Sequence, residues 1–403
     1  MKSYNHLYEK LIDLDNIVTA IHNASKRKKR RHEVQAVIDN PWHHAHNVIA
    51  MLERGEFKPQ KHHLRRIQDT SSGKERYIMK PYFYHNRQGE EVYEQVIQHA
   101  VVQVLRPIIM KGMYCHSYGS IPGRGCHSGM RALAGYIRNN KDTNKLKYAV
   151  KGDIHHFYQS INKELIKQLL KKKIHDTRFL NVVYTILDSN IGILDHKEID
   201  MGLPIGFYSS QWLANFLLQD FDHFIKEKMG AEFYIRYMDD FIIFGSNKKK
   251  LREILYAAKA YLENLNLPLK GNYQLFRFDY KKKDGKVIGR PLDFMGFKFY
   301  RDRVTLRKTI LRRARKAAMN AHKAVLNKKL NWYLCSRIIS YKGWFKATNT
   351  KKYVARYIRP YIHEFLCKRE LQRHGEFLHW LAVKRERRRK QKVINGNRGE
   401  IKL

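Results

Sequence analysis

Residues 234–244 read YIRYMDDFIIF. Two β-prone runs flank Met-Asp-Asp, a pattern that predicts a hairpin with Asp239 and Asp240 at its tip. Adjacent carboxylates between apolar strands repel each other and are costly to bury without compensation. A divalent cation would offset that repulsion. The alternative is an ordinary turn, because Asp is common in turns.

A third aspartate also ends an apolar run. Asp153 lies in VKGDIHHFY (150–158), at the end of the β-prone stretch LKYAVKGDI (146–154). Three such aspartates can hold two hard cations with nucleotide phosphates between them, which is the two-metal arrangement for phosphoryl transfer. The sequence therefore indicates a candidate two-metal site at Asp153, Asp239 and Asp240.

The composition is that of a basic globular protein. The chain has 403 residues, and its 79 Lys+Arg against 37 Asp+Glu give a net charge of +42. The length suggests two or three domains, and a hydrophobic content of 43% can fill a core, which argues against wholesale disorder. Because so much like charge repels itself, we expect a polyanionic partner, first of all nucleic acid. Metabolic enzymes of small neutral substrates are rarely this basic.

Membrane and secretory features are not expected. The sequence has no run of about 20 apolar residues and no secretory signal at its start, which reads MKSYNHLYEK. Its four cysteines form neither a C-x-x-C motif nor a disulfide framework, a usage that suits a reducing compartment. We therefore expect a cytoplasmic protein with no membrane partner.

Periodicity divides the chain into three parts. Residues 1–60 are basic and helical, with Leu7, Leu11, Leu14 and Ile17 at helical spacing. Residues 61–300 mix strands and helices, and residues 301–403 are again basic and helical. Within the middle part, we expect a helix over 92–110 that is interrupted near Pro107, a loop over 117–129 followed by a helix over 131–139, and a loop over 202–211 followed by a helix over 212–229.

Four segments in order resemble prokaryotic reverse transcriptases: SYGSIPGRG (117–125), KGDIHHFYQSI (151–161), GLPIGFYSSQWLAN (202–215) and YIRYMDDF (234–241). LNLPLK (265–270) and DFMGFKFY (293–300) resemble the last two palm motifs, so the likeness covers roughly residues 70–310. It implies an α+β right-hand polymerase fold, with fingers and palm built from antiparallel sheet plus helices and with a helical thumb.

The resemblance implies catalytic and nucleotide-binding roles. Asp153, Asp239 and Asp240 match the metal-binding triad, which implies two Mg²⁺ ions with Mn²⁺ as a substitute. Tyr158 matches the aromatic side chain that excludes the 2′-hydroxyl of ribonucleotides. Nucleotide-binding positions are also implied at Gly206, in the loop that approaches the nucleotide and template, at Gln211 and at Lys270, a proton donor to pyrophosphate or else a surface lysine.

Further residues match positions that contact phosphates or nucleic acid. The finger-like segment GKERYIMK (73–80) offers Lys74, Arg76 and Lys80 for the triphosphate, and the sequence leaves open which of them binds it. The positions matched to nucleic-acid contacts are Gly123, Arg124, Gly125, Tyr237, Met238 and the primer-grip residues Met295 and Gly296. Arg124 is equally consistent with a salt bridge inside the fingers.

The likeness implies an RNA-directed DNA polymerase whose partners are template RNA, primer or cDNA, and dNTPs. The Ser-Gln ending of LPIGFYSSQ is most like the diversity-generating retroelement branch, whose enzymes work with a small accessory protein. A phage-defence reverse transcriptase is the alternative role. An RNA-binding protein on an inactive polymerase scaffold is the alternative of another class, although such a scaffold has no need for three mutually repelling carboxylates.

Overall fold

The computed structural model describes residues 3–68, 75–281 and 285–376. The chain divides into two compact units, one formed by residues 1–136 with 142–277 and the other by residues 137–141 with 278–403. The expected borders after residues 60 and 300 stay predictions. No helix of the described ranges is long and apolar enough to cross a membrane.

Short helices begin the first unit: α1 (Leu7–Leu11), α2 (Leu14–Ser25), α3 (His32–Asp39) and α4 (Pro41–Glu53). Leu7, Leu11 and Ile17 of the expected apolar stripe are buried. The stripe is divided between α1 and α2 because Asp13 is the N-cap of α2. The Asp13 side chain accepts a hydrogen bond from the Asn16 backbone N–H. The basic run over residues 26–31 forms the turn between α2 and α3.

A four-stranded sheet follows, with the order β2-β1-β5-β6. Its strands are β1 (Lys61–Gln68), β2 (Glu75–Met79), β5 (Ile191–Leu194) and β6 (Lys197–Asp200). Strand β1 pairs antiparallel with β2 and parallel with β5, so a hairpin far along the chain completes the sheet. The expected turn over residues 71–73 lies outside the described residues.

Three sequence-based boundaries are wrong. Helix α5 (Glu94–Lys111) continues through Pro107 instead of breaking there. Proline costs a helix interior about 3 kcal/mol, and the near-continuous burial of α5 residues offsets that cost. Helix α6 (Cys126–Asn139) begins inside the expected loop, and α10 (Tyr208–Leu217) begins before residue 212, because Gly- and Ser-containing first turns read as loop in sequence.

A five-stranded sheet with the order β3-β7-β8-β4-β9 forms the centre of the first unit. Its strands are β3 (Ser117–Tyr118), β4 (Tyr148–Asp153), β7 (Phe233–Tyr237), β8 (Asp240–Gly245) and β9 (Gln274–Arg277). Strands β4, β7 and β8 are antiparallel neighbours and supply buried residues such as Tyr234, Phe241 and Ile243 to the core. The predicted strands around Asp153 and the Asp239–Asp240 pair are thus confirmed.

The other helices of this unit are α7 (Phe157–Ser160), α8 (Lys163–Lys171), α9 (Thr177–Asp188), α11 (Gln219–His223), a π-helical turn (Phe224–Lys228) and α12 (Lys248–Glu263). Helix α12 contacts strands β4 and β8, so it covers part of the central sheet. Helix α7 follows β4 almost directly and carries Tyr158.

The second unit begins with short strands and continues as helices. Strand β10 (Tyr280–Lys281) pairs with β11 (Val287–Ile288), and β12 (Leu292–Phe294), β13 (Phe297–Phe299) and β14 (Val304–Leu306) form a three-stranded sheet. The helices α13 (Lys308–Leu326), α14 (Trp332–Lys346), α15 (Lys351–Tyr357) and residues 364–376 follow. The α+β class predicted from the sequence is confirmed.

Candidate active site

The register of the central sheet brings the three aspartates to one end of it. Met238 adopts a left-handed conformation (φ +54°) in the tight turn between β7 and β8, so Asp239 lies in the turn and Asp240 begins β8. Asp153, the last residue of β4, pairs with Asp240 across the sheet. The backbone N–H of Ile154 donates to the Asp239 carbonyl at 3.2 Å, which fixes the two chain segments together.

Nearby cations compensate the charges of this cluster only in part. The pKa of Asp240 is raised to about 7, chiefly by burial and then by the charges of Asp153 and Asp239, against the opposing effect of Lys151. Burial and the charge of Asp153 raise the pKa of Asp239 as well. The Asp240 Oδ1 atom is buried without a hydrogen-bond partner. Among the described side chains, no group of three or more His, Cys, Asp or Glu is arranged to hold a metal ion as it stands.

Lys270 contacts this cluster directly. Its ammonium forms an ion pair with the Asp153 carboxylate, and its backbone N–H donates to the Asp153 carbonyl at 2.9 Å. Both side chains are partly exposed, with relative accessibilities of 26% and 31%, so neither is buried in the core. The segment LNLPLK (265–270) therefore ends directly beside the aspartates.

A cleft of about 530 Å³ opens beside the aspartates. Asp239 and Tyr158 line it, together with the basic side chains of Arg76, Lys270, His155 and His156. Burial and the charge of Asp239 raise the pKa of Tyr158, so its hydroxyl stays protonated at neutral pH. The cleft thus combines an acidic wall, an aromatic side chain and several cationic or ionisable groups, which suits a phosphorylated ligand.

Other nucleotide-binding candidates lie elsewhere. Lys80 is exposed and pairs with Glu33 at 3.7 Å, outside the lining of the cleft. Gln211 is exposed on the first turns of α10 and does not line the cleft either. Lys74 lies outside the described residues. Of the two basic finger candidates that the structure describes, Arg76 lines the cleft and Lys80 does not.

Gly206 makes a close backbone approach. Its φ is +122°, and a Cβ atom there would lie 2.0 Å from the Met79 carbonyl oxygen. The neighbouring Ile205 carbonyl accepts a hydrogen bond from the Met79 N–H at 2.9 Å. Since no side chain fits, the loop before α10 is fastened to strand β2 at a position that requires glycine. The predicted approach to nucleotide and template stays a prediction.

The glycine loop after β3 is held by its own bonds. Arg124 donates from Nη1 to the Tyr114 carbonyl at 3.0 Å, and its own carbonyl accepts from the Gly119 N–H. Gly123 (φ +76°) and Gly125 have open space where a Cβ would lie. The Arg124 side chain therefore supports the loop by a hydrogen bond to a backbone carbonyl. The sequence had left open a salt bridge inside the fingers as the alternative.

The remaining candidates flank two turns. Tyr237 and Met238 precede the aspartates, and burial raises the pKa of Tyr237. Met295 (φ +52°) and Gly296 (φ +86°) form the turn between β12 and β13 in the second unit. A Cβ on Gly296 would lie 3.0 Å from Ile310 Cδ1, so helix α13 packs closely under this turn.

Sequence reasoning missed two features of the site. His155 and His156 line the cleft directly after Asp153, and their place in VKGDIHHFY was the available signal. The buried ion pair between Arg236 and Asp222 lies under the aspartate turn. Its only trace in the sequence is an arginine within an otherwise apolar strand.

Comparison with known proteins finds a likeness, over the central part of the chain, that agrees with the motif resemblance. Residues 91–289 match the family model described as reverse transcriptase (RNA-dependent DNA polymerase). Protein YkfC of Escherichia coli (strain K12) is 24% identical over 136 residues, covering 34% of this chain and 35% of that protein. The group II intron-encoded protein LtrA of Lactococcus lactis subsp. cremoris is 26% identical over 182 residues, covering 44% of this chain and 27% of that protein.

The chain matches about a third or less of the length of these curated relatives. Among solved structures, apo telomerase from Candida tropicalis has a TM-score of 0.48 at 12% identity, covering 77% of this chain and 64% of that one. Telomerase from Candida albicans in complex with a fragment of telomeric RNA has a TM-score of 0.46 at 12% identity, covering 79% and 62%.

Proposed function

Starting from a reverse transcriptase domain over residues 91–289, we propose that the protein is an RNA-directed DNA polymerase that makes cDNA from an RNA template. The observation that carries the proposal is the meeting of Asp153, Asp239 and Asp240 at one end of the central sheet. These acids lie beside a cleft lined by Tyr158 and by basic side chains. Its substrates would be dNTPs and a primer annealed to template RNA.

We propose that the three aspartates bind divalent cations by the chemistry of their carboxylates, with Mg²⁺ as the expected ion and Mn²⁺ as a substitute. Carboxylate oxygens are the ligands that Mg²⁺ prefers, and the buried Asp240 Oδ1 has no other partner in the described structure. Two bound cations would neutralise phosphate charge and lower the pKa of the primer hydroxyl. A cation would also offset the burial that raises the pKa of Asp240.

Other side chains of the cleft take roles suited to their chemistry. We assign to the Tyr158 ring, which lines the cleft, the exclusion of a ribose 2′-hydroxyl, which would favour dNTPs. Arg76 and Lys270 place positive charge where the triphosphate is expected. Lys270 is also the candidate to return a proton to the leaving pyrophosphate, because its ammonium already lies against Asp153.

Primer extension tests the activity. Purified protein is incubated with Mg²⁺, dNTPs and a labelled primer on an RNA template, beside the Asp239→Asn/Asp240→Asn variant. We expect extension by the wild type and a loss of about 1,000-fold or more in the variant, since several kcal/mol of charge stabilisation disappear. Asp220→Asn, which changes an exposed aspartate of α11, is the matched control and should extend normally.

The inactive-scaffold alternative gives a different result in the same assay. A wild type that binds RNA as tightly as the double variant, yet extends no primer on RNA or DNA templates with cellular RNA retained, would contradict the polymerase proposal. The +42 charge supports RNA binding under either reading, so binding alone does not decide between them.

We propose that the protein works in a diversity-generating retroelement. Its partner would be a small accessory protein, and its location would be the cytoplasm. The Ser210–Gln211 ending of the glycine segment supports this branch, and four free thiols suit a reducing compartment. Enzymes of the diversity-generating branch make frequent errors at template adenines, so sequencing of the cDNA tests the role: errors concentrated at adenines are expected. Errors spread evenly over the four bases would remove this support, and protection of cells against phage would favour the defence role instead.

A further inference from the structure

A fully buried polar network lies under the turn that carries the aspartates. Arg236 of β7 and Asp222 of α11 both have a relative accessibility of 0%. The guanidinium binds the carboxylate in bidentate fashion, from Nε to Oδ1 at 2.7 Å and from Nη2 to Oδ2 at 2.6 Å. Tyr234 and Ser117 donate their hydroxyls to the same two oxygens. The carboxylate is therefore saturated, and the pair is locked in one orientation.

One nitrogen of Arg236 points away from this pair. Its Nη1 donates to the Met238 carbonyl at 2.9 Å and to Asn215 Oδ1 at 3.2 Å. Met238 is the left-handed residue (φ +54°) directly before Asp239. The orientation of its carbonyl sets the direction in which the chain enters the aspartate pair, so Arg236 acts on the turn itself.

Met238 is held at its other atoms too. Its N–H donates to the Tyr118 carbonyl at 3.0 Å, and Asn215 Nδ2 lies 3.7 Å from its sulfur while donating to the Gly119 carbonyl. A Cβ on Gly119 would lie 2.7 Å from Met238 Cγ, so only glycine admits this side chain. The loop after β3, helix α10 and strand β7 thus converge on one residue.

We propose that Arg236 is a positioning residue for the aspartates, holding the Met238 carbonyl so that Asp239 and Asp240 present their carboxylates for divalent-cation binding. This inference rests on the proposed function. Stability alone does not account for the arrangement, because a buried ion pair is often replaced by apolar residues without loss of stability. What an apolar replacement cannot supply is the donor to Met238.

The test separates positioning from stability. In Arg236→Met/Asp222→Leu both charges leave together, so no unpaired charge stays buried. In Asp222→Asn the arginine and its bond to Met238 remain. Mn²⁺ binding is measured from the free-ion signal in electron paramagnetic resonance, and kcat and KM for primer–template are measured well below the unfolding temperature. We expect Mn²⁺ affinity and kcat to fall roughly 10- to 100-fold in the double variant, with KM for primer–template unchanged.

Controls keep the result interpretable. Gln219→Met removes another buried polar side chain of α11, one that donates to the Ile109 carbonyl and does not contact Met238. It should lower stability while leaving Mn²⁺ affinity and kcat unchanged. Arg236→Lys serves if the double variant does not fold, because an ammonium cannot bind both Asp222 oxygens and the Met238 carbonyl together. It should also weaken Mn²⁺ binding.

Four outcomes decide the matter. Unchanged Mn²⁺ affinity in folded Arg236 variants, or losses in all variants that simply follow their unfolding midpoints, would overturn the proposal. Equal Mn²⁺ binding by Asp239→Asn/Asp240→Asn and the wild type would overturn it as well. A wild type that makes no DNA, yet binds Mn²⁺ in an Arg236-dependent manner, supports the positioning role while removing the polymerase function.

Discussion

Tyr158 is the residue on which sugar selection is expected to depend. It lines the cleft beside Asp239 and is anchored through its backbone carbonyl, which accepts from the Leu203 N–H at 2.8 Å. Tyr158→Val shortens the side chain without moving that anchor, so ribonucleotide incorporation should rise by roughly 10-fold or more. Single-nucleotide extension with rATP against dATP measures the change. Tyr158→Phe keeps the ring and should behave as wild type, and equal selectivity in the Val variant would contradict this role.

At Gly206, the addition of a single methyl group should destabilise the folded protein. Because a Cβ would lie 2.0 Å from the Met79 carbonyl and φ is +122°, Gly206→Ala forces the loop away from β2. Backbone strain and overpacking together should lower the free energy of unfolding by about 2–5 kcal/mol. Gly230→Ala is the control, since Gly230 has φ +64° with open space around it and should lose only about 1–2 kcal/mol. Equal losses in urea denaturation would show that the Met79 contact is unimportant.

At the scale of elements, α5 and α10 meet through a stacked pair. The centroids of the His99 and Tyr208 rings lie 3.9 Å apart, and the interplanar angle is 10°. Burial lowers the pKa of His99 from 6.5 to about 4, and the charges of Lys28 and Lys26 act in the same direction. The unfolded chain therefore binds a proton in the interval between these values that the folded chain does not. Stability should fall as pH drops from about 6.5 to about 4, by up to about 3 kcal/mol.

His99→Phe tests this pH dependence. Phenylalanine keeps an aromatic ring against Tyr208 but cannot be protonated, so the variant should lose less stability on acidification than the wild type does. Urea denaturation at neutral pH and near pH 4.5 gives the two differences, and comparing the proteins cancels the carboxyl groups that titrate in both. Equal acid sensitivity would mean that His99 is not the responsible group.

Elements could be predicted where local pattern and burial agree. Strands β4, β7 and β8 are short apolar runs, and their identity was readable from the sequence. The β5–β6 hairpin was not, because its partner strand β1 lies far away in the chain, with Lys61 opposite Ile191. The predicted helix break at Pro107 was wrong for another reason. Helix α5 is buried along most of its length, and tertiary packing outweighs the local preference of proline.

The residues of the candidate site also fall into those that local sequence identified and those that only tertiary structure brings together. Motif resemblance named the aspartates, Tyr158 and Lys270, which the structure brings to one end of the sheet and its cleft. It could not separate Arg76 from Lys80, because both are basic and the choice depends on the direction of each side chain in strand β2 and just after it. The Arg236–Asp222 pair was unreadable, since nothing local to either residue shows that they meet in the core.

At the scale of the whole molecule, the net charge of +42 predicts strongly salt-dependent nucleic-acid binding. Each phosphate contact releases counterions, and a protein with 6–10 such contacts loses roughly 10³–10⁵ in affinity between 50 and 200 mM salt. Fluorescence anisotropy of a labelled primer–template over a KCl series should show a loss of this size. Sucrose at matched osmolality is the control and should leave the affinity unchanged. A flat KCl dependence would mean that the basic residues neutralise few phosphates, which would argue against a broad basic groove.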